Sequence, residues 1–169
     1  MRRALDALYD GAAALAALFM VLLLVAVLAS VLGRQLHFNV PGTDAYAGYM
    51  MAGAGFLALA HTLKRGEHIR VTLLLQSLSP RARHTLEVWA LGAASVLAAL
   101  VAFYSVRLAW QSHAFNDIST GNDATPLWLP QLSMAVGTTI LAIAFIDELV
   151  LELRGQRAQG SSSEMLHSE

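Results

Sequence analysis

Four long stretches of this sequence contain no Asp, Glu, Lys or Arg, and they limit the possible folds more than any other feature. They are Gly11–Gly33, Ala45–Leu63, Val88–Val106 and Leu127–Ile146. A helix of about 20 residues crosses roughly 30 Å of hydrocarbon, and each stretch is close to that length. Because lipid offers backbone groups no hydrogen-bond partners, each stretch is expected to be helical.

The sequence therefore predicts an all-α membrane protein with four transmembrane helices, at about residues 11–33, 45–63, 86–108 and 127–149. Only 14% of the residues are charged, whereas soluble domains have about 25%. The chain has no cysteine, which excludes disulfide scaffolds, thiolate metal sites and cysteine nucleophiles. Its net charge of −1 provides no basic field for nucleic acid. Membrane lipid is the expected surrounding, and nucleic acid is not an expected partner.

The basic residues are divided unequally between the two sides of these helices. One side has nine of the eleven Lys and Arg residues: Arg2, Arg3, Lys64, Arg65, Arg70, Arg81, Arg83, Arg154 and Arg157. Arg34 and Arg107 fall on the other side. Cytoplasmic segments carry the excess of basic residues, so the chain is predicted to be a multi-pass protein of the bacterial inner membrane with both termini cytoplasmic. The first apolar stretch exceeds the roughly 7–15-residue core of a cleaved signal peptide and is expected to be retained.

The connection between the second and third spans has its own pattern. Val71, Leu74, Leu75 and Leu78 recur at helical spacing, which predicts a short amphipathic helix on the cytoplasmic surface. Ser79-Pro80 is a good helix start, so the third helix is expected to begin there. The third connection, 114–125, is polar and is predicted to be a solvated loop. Residues 1–154 form the predicted four-span domain, and 155–169 are predicted to be a disordered cytoplasmic tail.

The centres of the four spans lack the ionisable residue that a transport pathway usually leaves inside the membrane. The centres lie near Leu22, Ala54, Leu97 and Gly137. The hydroxyls near mid-depth, on Ser95, Thr138 and Thr139, are expected to bond to carbonyls of their own helices. No catalytic residue, cofactor or metal site is predicted, and the chain is not expected to be an enzyme.

Histidines provide the main alternative, a four-helix haem-binding membrane cytochrome of the b561 type. Such proteins hold haem between imidazoles at matched depth on facing helices. Here His61 and His84 lie near the cytoplasmic ends of their helices, and His37 and His113 lie near the opposite ends. These interfacial positions favour solvated or hydrogen-bonded histidines over haem ligands, and haem binding is kept as a minor hypothesis.

Candidate contacts with a partner subunit come from two features. Gly48, Ala52 and Gly55 recur at i, i+4 and i+7 and give the second span one smooth face, which permits close helix packing in lipid. Arg107 and Trp128 lie at the outer membrane boundary. The other boundary charges, Glu87, Asp147 and Glu148, are expected to anchor helix ends, with pairing to a partner subunit as the alternative.

Two segments carry a family resemblance. The first is the run from Lys64 to Val71, with Gly66, Glu67, His68 and Arg70; the second leads from Asp117 to Gly137 and includes Pro126, Trp128 and Pro130. Together, on a four-span chain of this length, they resemble the small permease (DctQ-type) subunit of tripartite ATP-independent periplasmic (TRAP) transporters. The chain departs from the family at Thr72, where an acidic residue is often found.

The resemblance implies two protein partners. One is a large permease of the DctM type, which carries the substrate and sodium sites, and the other is a periplasmic substrate-binding protein of the DctP type. It also implies sodium-coupled uptake of an organic acid such as a carboxylate, without ATP. This chain would serve as the membrane scaffold of that transporter.

Overall fold

The computed structural model describes residues 2–38, 41–65, 79–121 and 123–155 and contains four α-helices in them. The helices are α1 (Arg2–Gln35), α2 (Thr43–Lys64), α3 (Pro80–Ala114) and α4 (Trp128–Leu153). The prediction of an all-α chain is confirmed. The predicted amphipathic helix, the motif residues Gly66, Glu67, His68 and Arg70, and tail residues 156–169 lie outside the described residues.

Local chemistry explains where the helices begin. Ser79 precedes α3 and its hydroxyl accepts a hydrogen bond from the Ala82 N–H at 3.5 Å, as the Ser79-Pro80 pair predicted. Before α2, Gly42 has a φ of 83°. A Cβ on Gly42 would lie 2.9 Å from the Asp123 Cβ, so both the backbone angle and the space favour glycine there.

Three of the four helices are long and apolar enough to cross a membrane: α1, α3 and α4. The fourth, α2, has 22 residues and would be about 33 Å long at 1.5 Å per residue. It falls short in hydropathy because Tyr46, Tyr49 and His61 interrupt its apolar residues and because Gly48, Gly53 and Gly55 take the place of larger apolar side chains. The described structure thus supports three membrane-spanning candidates where the sequence predicted four spans.

The four helices pack in the spatial order α1–α2–α4–α3. Extensive contacts join α1 to α2, α2 to α4 and α4 to α3, whereas α1 touches α4 only slightly. That contact brings Tyr9 and Ala12 of α1 into a buried cluster with Ile140 and Ala144 of α4. The outer helices are widely exposed, and only 6% of the most apolar part of α1 is buried. The arrangement is an open row, not a closed four-helix bundle.

A close approach of two backbones fixes the centre of this row. A Cβ on Gly137 of α4 would lie 2.6 Å from the carbonyl carbon and oxygen of Phe56 on α2. No residue other than glycine fits at this crossing without a shift of the backbone. Small interfacial residues of this kind let helices approach in lipid, where van der Waals packing has to hold them together.

Small side chains also form the contact between α3 and α4. The residues buried along α3 recur at alternating steps of four and three, which is the 3.5-residue period of a left-handed helix pair. They are Leu91, Ser95, Ala98, Ala102, Ser105, Ala109 and Ser112. Ala98 and Ala102 pack against Ala142 of α4. We call this seven-residue stripe the α3 seam; no sequence-based expectation pointed to it.

The mid-depth hydroxyls behave as predicted. Ser95 donates to the Leu91 carbonyl at 2.7 Å, Thr138 to the Met134 carbonyl at 2.8 Å and Thr139 to the Ala135 carbonyl at 2.7 Å. Each bond stays within one helix, so these hydroxyls do not present free polar groups to a substrate.

The α3 seam predicts a position-specific cost of added volume. Ala102→Leu is expected to lower the free energy of unfolding by about 1–3 kcal/mol, because a well-packed interface tolerates extra methylenes poorly. Ala99→Leu, at an exposed position one turn away on the same helix, is the matched control and is expected to change it by less than about 0.5 kcal/mol. Equilibrium unfolding of the full chain in mixed detergent micelles measures both; equal effects would contradict the seam.

Candidate functional site

Lys64, at the C-terminal end of α2, joins three helices. Its ammonium nitrogen lies 3.2 Å from the Asp6 carboxylate on α1 and 3.4 Å from the Asp147 carboxylate on α4. It also lies 5.0 Å from the centre of the Tyr9 ring, within cation–π range. We call these four residues the Lys64 cluster. Asp147 therefore has a partner within the chain.

Two of the histidines, His61 and His84, each lie against a carboxylate of a neighbouring helix. His61 Nδ1 lies 3.6 Å from the Asp10 carboxylate, and His84 Nδ1 lies 2.9 Å from the Glu152 carboxylate. Nothing in these contacts favours the haem hypothesis, because each imidazole faces a carboxylate instead of a second imidazole. Within residues 2–38, 41–65, 79–121 and 123–155, no group of three or more His, Asp or Glu side chains is placed to hold a metal ion.

Glu87 is paired within its own helix, since the Arg83 guanidinium lies 3.1 Å from its carboxylate. This i, i+4 pair is the local anchor expected from the sequence. The pairs Lys64–Asp147, His61–Asp10 and His84–Glu152 bring together the starts of α1 and α3 and the ends of α2 and α4. These ends therefore form one polar face of the molecule.

Asp123 organises the opposite end of the molecule. The Tyr49 hydroxyl of α2 donates to one oxygen of this carboxylate at 3.0 Å, and the Ser119 hydroxyl donates to the other at 2.8 Å. Backbone bonds close the same loop, with Ser119 N–H to the Thr125 carbonyl and Leu127 N–H to the Asp117 carbonyl, both at 2.9 Å. The connection predicted to be a solvated loop is largely exposed in its described residues, and it is also a hydrogen-bonded turn attached to α2. We call residues 115–121 and 123–127 the Asp123 loop.

The pKa of Asp123 reflects this environment. Desolvation of the carboxylate acts to raise it, but hydrogen bonds from Thr125, Ser119, Tyr49 and its own backbone together outweigh desolvation and lower the pKa to about 2. The carboxylate is consequently ionised throughout the physiological range and remains a strong acceptor for both hydroxyls.

The glycine face of α2 is open. Gly48, Ala52 and Gly55 are exposed, and a Cβ added to either glycine would meet no atom within 4 Å. In contrast, a Cβ added to Gly53, on the opposite side of α2, would lie 3.2 Å from the Phe19 ring. None of the described helices covers the smooth face, which leaves it free for an external contact.

Arg107 and Trp128, the other two candidate contacts, lie elsewhere. Trp128 begins α4, and its ring packs edge-on against His113 with centroids 5.2 Å apart. Arg107 is exposed on α3, and no carboxylate of the described residues pairs with it. Because α3 packs chiefly on α4, the structure separates Arg107 and Trp128 from the glycine face of α2. The five candidates therefore form two surfaces and not one.

The first family-motif segment lies largely outside the described residues, but Pro126, Pro130 and Gly137 of the second segment lie within them. Pro126 faces Ile118 across the base of the Asp123 loop, and Gly137 lies at the α2–α4 crossing. Pro130 lies in the first turn of α4, where a missing N–H costs no helical hydrogen bond. The motif residues described here are thus explained by the geometry of a turn, a helix start and a helix crossing.

A scan against protein families matches residues 23–155 to the family described as "Tripartite ATP-independent periplasmic transporters, DctQ component". The chain belongs to the DctQ family. A search of curated proteins found no match, and neither did a search of solved structures. The match runs from within α1 through α4 and includes the α3 seam, the Asp123 loop and the Gly137 crossing. Asp6, Tyr9 and Asp10 lie before the start of the match.

Membership in the DctQ family makes this chain a component of TRAP transporters, as the two motif segments indicated. Together with the three long apolar helices, it supports a transmembrane protein with a role in transport.

Replacing Asp123 by Asn is expected to loosen the Asp123 loop, because a neutral amide is a weaker acceptor for the Tyr49 and Ser119 hydroxyls. Amide hydrogen exchange at Ser119 and Leu127 should become faster at neutral pH. Asp117→Asn, which changes an exposed carboxylate in the same loop, is the matched control. Unchanged exchange in Asp123→Asn would show that this carboxylate does not hold the loop.

The same loop should be insensitive to mild acid. The pKa of Asp123 is lowered from 3.8 to about 2, so ionisation stabilises the folded state fully above the unfolded-state value and is lost as the pH falls through about 2. Exchange protection, referenced to unfolded peptide rates at each pH, should be equal at neutral pH and at about pH 5 and should fall below about pH 4.

Proposed function

We propose that this chain is the small membrane subunit of a TRAP transporter and scaffolds a large permease of the DctM type. In this proposal a DctP-type periplasmic binding protein delivers an organic acid such as a carboxylate, and sodium drives its uptake. The observation that carries the proposal is the DctQ family match over residues 23–155. The arrangement of charges, described next, supports an accessory and non-enzymatic role.

The ion pairs of the described residues lie at the two ends of the helices. The Lys64 cluster and the two histidine–carboxylate pairs lie at one end, while Arg34–Asp44 and Asp123 lie at the other. A charged residue in a membrane interior is costly and usually marks an ion or substrate pathway. Since the helix centres carry alanine, glycine and self-bonded hydroxyls instead, the substrate and sodium sites are assigned to the large permease.

We also propose that α2 crosses the membrane together with the three more apolar helices. Its neighbours α1 and α4 shield much of its surface, and Ala54, Leu57 and Ala60 are buried. A helix enclosed in this way needs fewer large apolar side chains towards lipid. The four helices then alternate in direction, and the polar face that carries Lys64 lies in the cytoplasm.

The proposed orientation can be tested with a reporter that is active only in the periplasm. A fusion inserted in the Asp123 loop should be active, and fusions after Arg70 or Arg157 should be silent. The physical reason is the excess of basic residues on the side that carries both termini. The reverse pattern would refute the proposal, because it is expected either from the opposite orientation or from a chain in which α2 does not cross the membrane.

The glycine face of α2 is the proposed contact with the large permease. Lipid tails are as apolar as leucine, so two membrane subunits cannot be held together by ordinary hydrophobic burial. A smooth face permits close backbone approach, and Gly48, Ala52 and Gly55 provide one that no helix of the described residues covers. The Asp123 loop holds the same end of α2 through Tyr49.

The combined substitution Gly48→Leu and Gly55→Leu is expected to reduce co-purification with the large permease at least about tenfold, because leucines hold the two backbones apart. Uptake by vesicles that contain both membrane subunits, supplied with the binding protein and a sodium gradient, should fall with it. Because a Cβ at either glycine meets no atom of the described residues within 4 Å, the variant is expected to fold normally.

Two controls make this experiment specific. Gly11→Leu combined with Gly92→Leu adds the same two side chains at positions that are also open within the chain, on α1 and α3. Thr139→Val removes the self-bonded hydroxyl of an α4 residue without adding volume. Both should co-purify at the parental level. A monodisperse Gly48/Gly55 variant that still binds the permease would exclude this face, and uptake by this chain alone would refute the accessory role.

A further inference from the structure

Four large side chains of α3 recur at steps of seven residues and form an exposed face, which we call the Trp face. They are Trp89, Val96, Phe103 and Trp110, and they are between 61% and 74% exposed. Each of them precedes a residue of the α3 seam by two positions. Two positions are about 200° apart on an α-helix, so the Trp face lies on the side of α3 turned away from α4.

The distance between the two tryptophans matches the thickness of a bilayer. Trp89 and Trp110 are 21 residues apart, which is about 32 Å along a helix and close to the roughly 30 Å of the hydrocarbon core. Residues 88–106 include no Asp, Glu, Lys or Arg. Because tryptophan rings prefer the boundary between hydrocarbon and headgroups, one ring at each end of this face marks both boundaries of the membrane.

Arg107 is compatible with the boundary at Trp110. It is exposed and lies three residues, or about 4.5 Å, closer to the membrane centre than Trp110. An Arg side chain can bury its methylene groups along apolar surface and carry its guanidinium to the headgroups. The position of Arg107 therefore requires no carboxylate from a partner subunit.

The ion pairs at the other end of α3 place the Trp89 boundary independently. The helices α3 and α4 run in opposite directions, and His84 contacts the Glu152 carboxylate at 2.9 Å. Trp89 follows His84 by five residues, and Asp147 precedes Glu152 by five. Both therefore lie about 7.5 Å further along their helices towards the membrane. The Lys64 cluster and Trp89 consequently share one depth, where water and headgroups solvate charges and amphipathic rings.

The opposite side of the row differs in composition. All three tryptophans of the chain belong to α3 and α4, whereas α2 exposes Gly48, Ala52 and Gly55. Small residues favour contact with another membrane helix because they let the backbones approach. The large side chains of the Trp face instead hold a neighbouring backbone away. One side of the row thus suits helix packing, and the other suits lipid.

We propose that the Trp face of α3 contacts lipid in the assembled transporter, with Trp89 and Trp110 at the two membrane boundaries. The inference rests on the proposed function, because it takes the large permease to bind the smooth face of α2. It makes α3 an outer edge of the complex. It also sets the depth of the subunit, since residues 80–88 then extend about 13 Å beyond the hydrocarbon.

The test uses spin labels, because a chain without cysteine accepts one label at a single introduced cysteine. Val96→Cys places the label on the Trp face, and Ala52→Cys places it on the smooth face of α2 as the matched control. Each labelled full chain is reconstituted in vesicles with and without the large permease. Electron paramagnetic resonance then measures collisions of the label with oxygen, which concentrates in hydrocarbon, and with a nickel chelate, which stays in water.

The permease should leave oxygen collisions at Val96→Cys unchanged and should lower those at Ala52→Cys at least about threefold, because a packed helix displaces lipid. Labels at Trp89→Cys and Trp110→Cys measure the depth. Their ratios of oxygen to nickel collisions should equal each other and lie at least about threefold below the ratio at Val96→Cys, which is about 10 Å deeper than Trp89.

The outcomes separate this inference from the proposed function. If the permease co-purifies but lowers oxygen collisions at Val96→Cys, the inference is overturned and the scaffold role stands. Unequal ratios at Trp89→Cys and Trp110→Cys would also overturn it, because the two boundaries would then lie elsewhere. If the unlabelled chain does not co-purify with the permease, the proposed function fails and the assignment of an outer edge fails with it.

Discussion

The crossing of α2 and α4 at Gly137 is the contact on which the rest of this fold depends. A Cβ there would lie 2.6 Å from the Phe56 backbone, so the two helices can approach this closely only with glycine at position 137. Helices in lipid gain little from excluding apolar surface and rely on such van der Waals contact. Once α2 and α4 are joined, α1 packs on the free side of α2, and the α3 seam packs on the free side of α4.

The ends of the helices are held by different physics. In the membrane interior, small residues can pack closely, but an ion pair there costs free energy because the charges lose their hydration. At the boundary, water and lipid headgroups solvate the charges, so ion pairs can form. Lys64, between Asp6 and Asp147, therefore joins three helices at one end, and Asp123 fixes a loop to Tyr49 at the other. The interior contacts determine how close the helices lie, and the end contacts join the same neighbouring helices again at their termini.

The helical segments, the helix start at Ser79 and the self-bonded hydroxyls were predictable from sequence, because each depends on local periodicity, capping or polarity. The helix order was not, since hydropathy marks which residues face lipid or protein but not which helix lies opposite. Asp6 and Asp10 lie one turn apart on α1, and their partners Lys64 and His61 lie one turn apart on α2. This matched spacing was a readable signal for the ion pairs between the two helices. The α3 seam was also readable in the spacing of its Ala and Ser residues. The spacing of Gly48, Ala52 and Gly55 predicted a face for close helix packing, and no helix of the described residues covers that face.

An open row of helices has a consequence that a closed bundle would not have. Every helix in it has at least one long face without an internal neighbour, so a large part of the surface can contact other molecules without any rearrangement. The smooth face of α2, which is lined by glycine and alanine, is one of these surfaces. A flat small-residue face suits a rigid helix, because two backbones can approach closely there. The shape of the row thus leaves a partner helix a surface on which to pack without displacing any contact within the subunit.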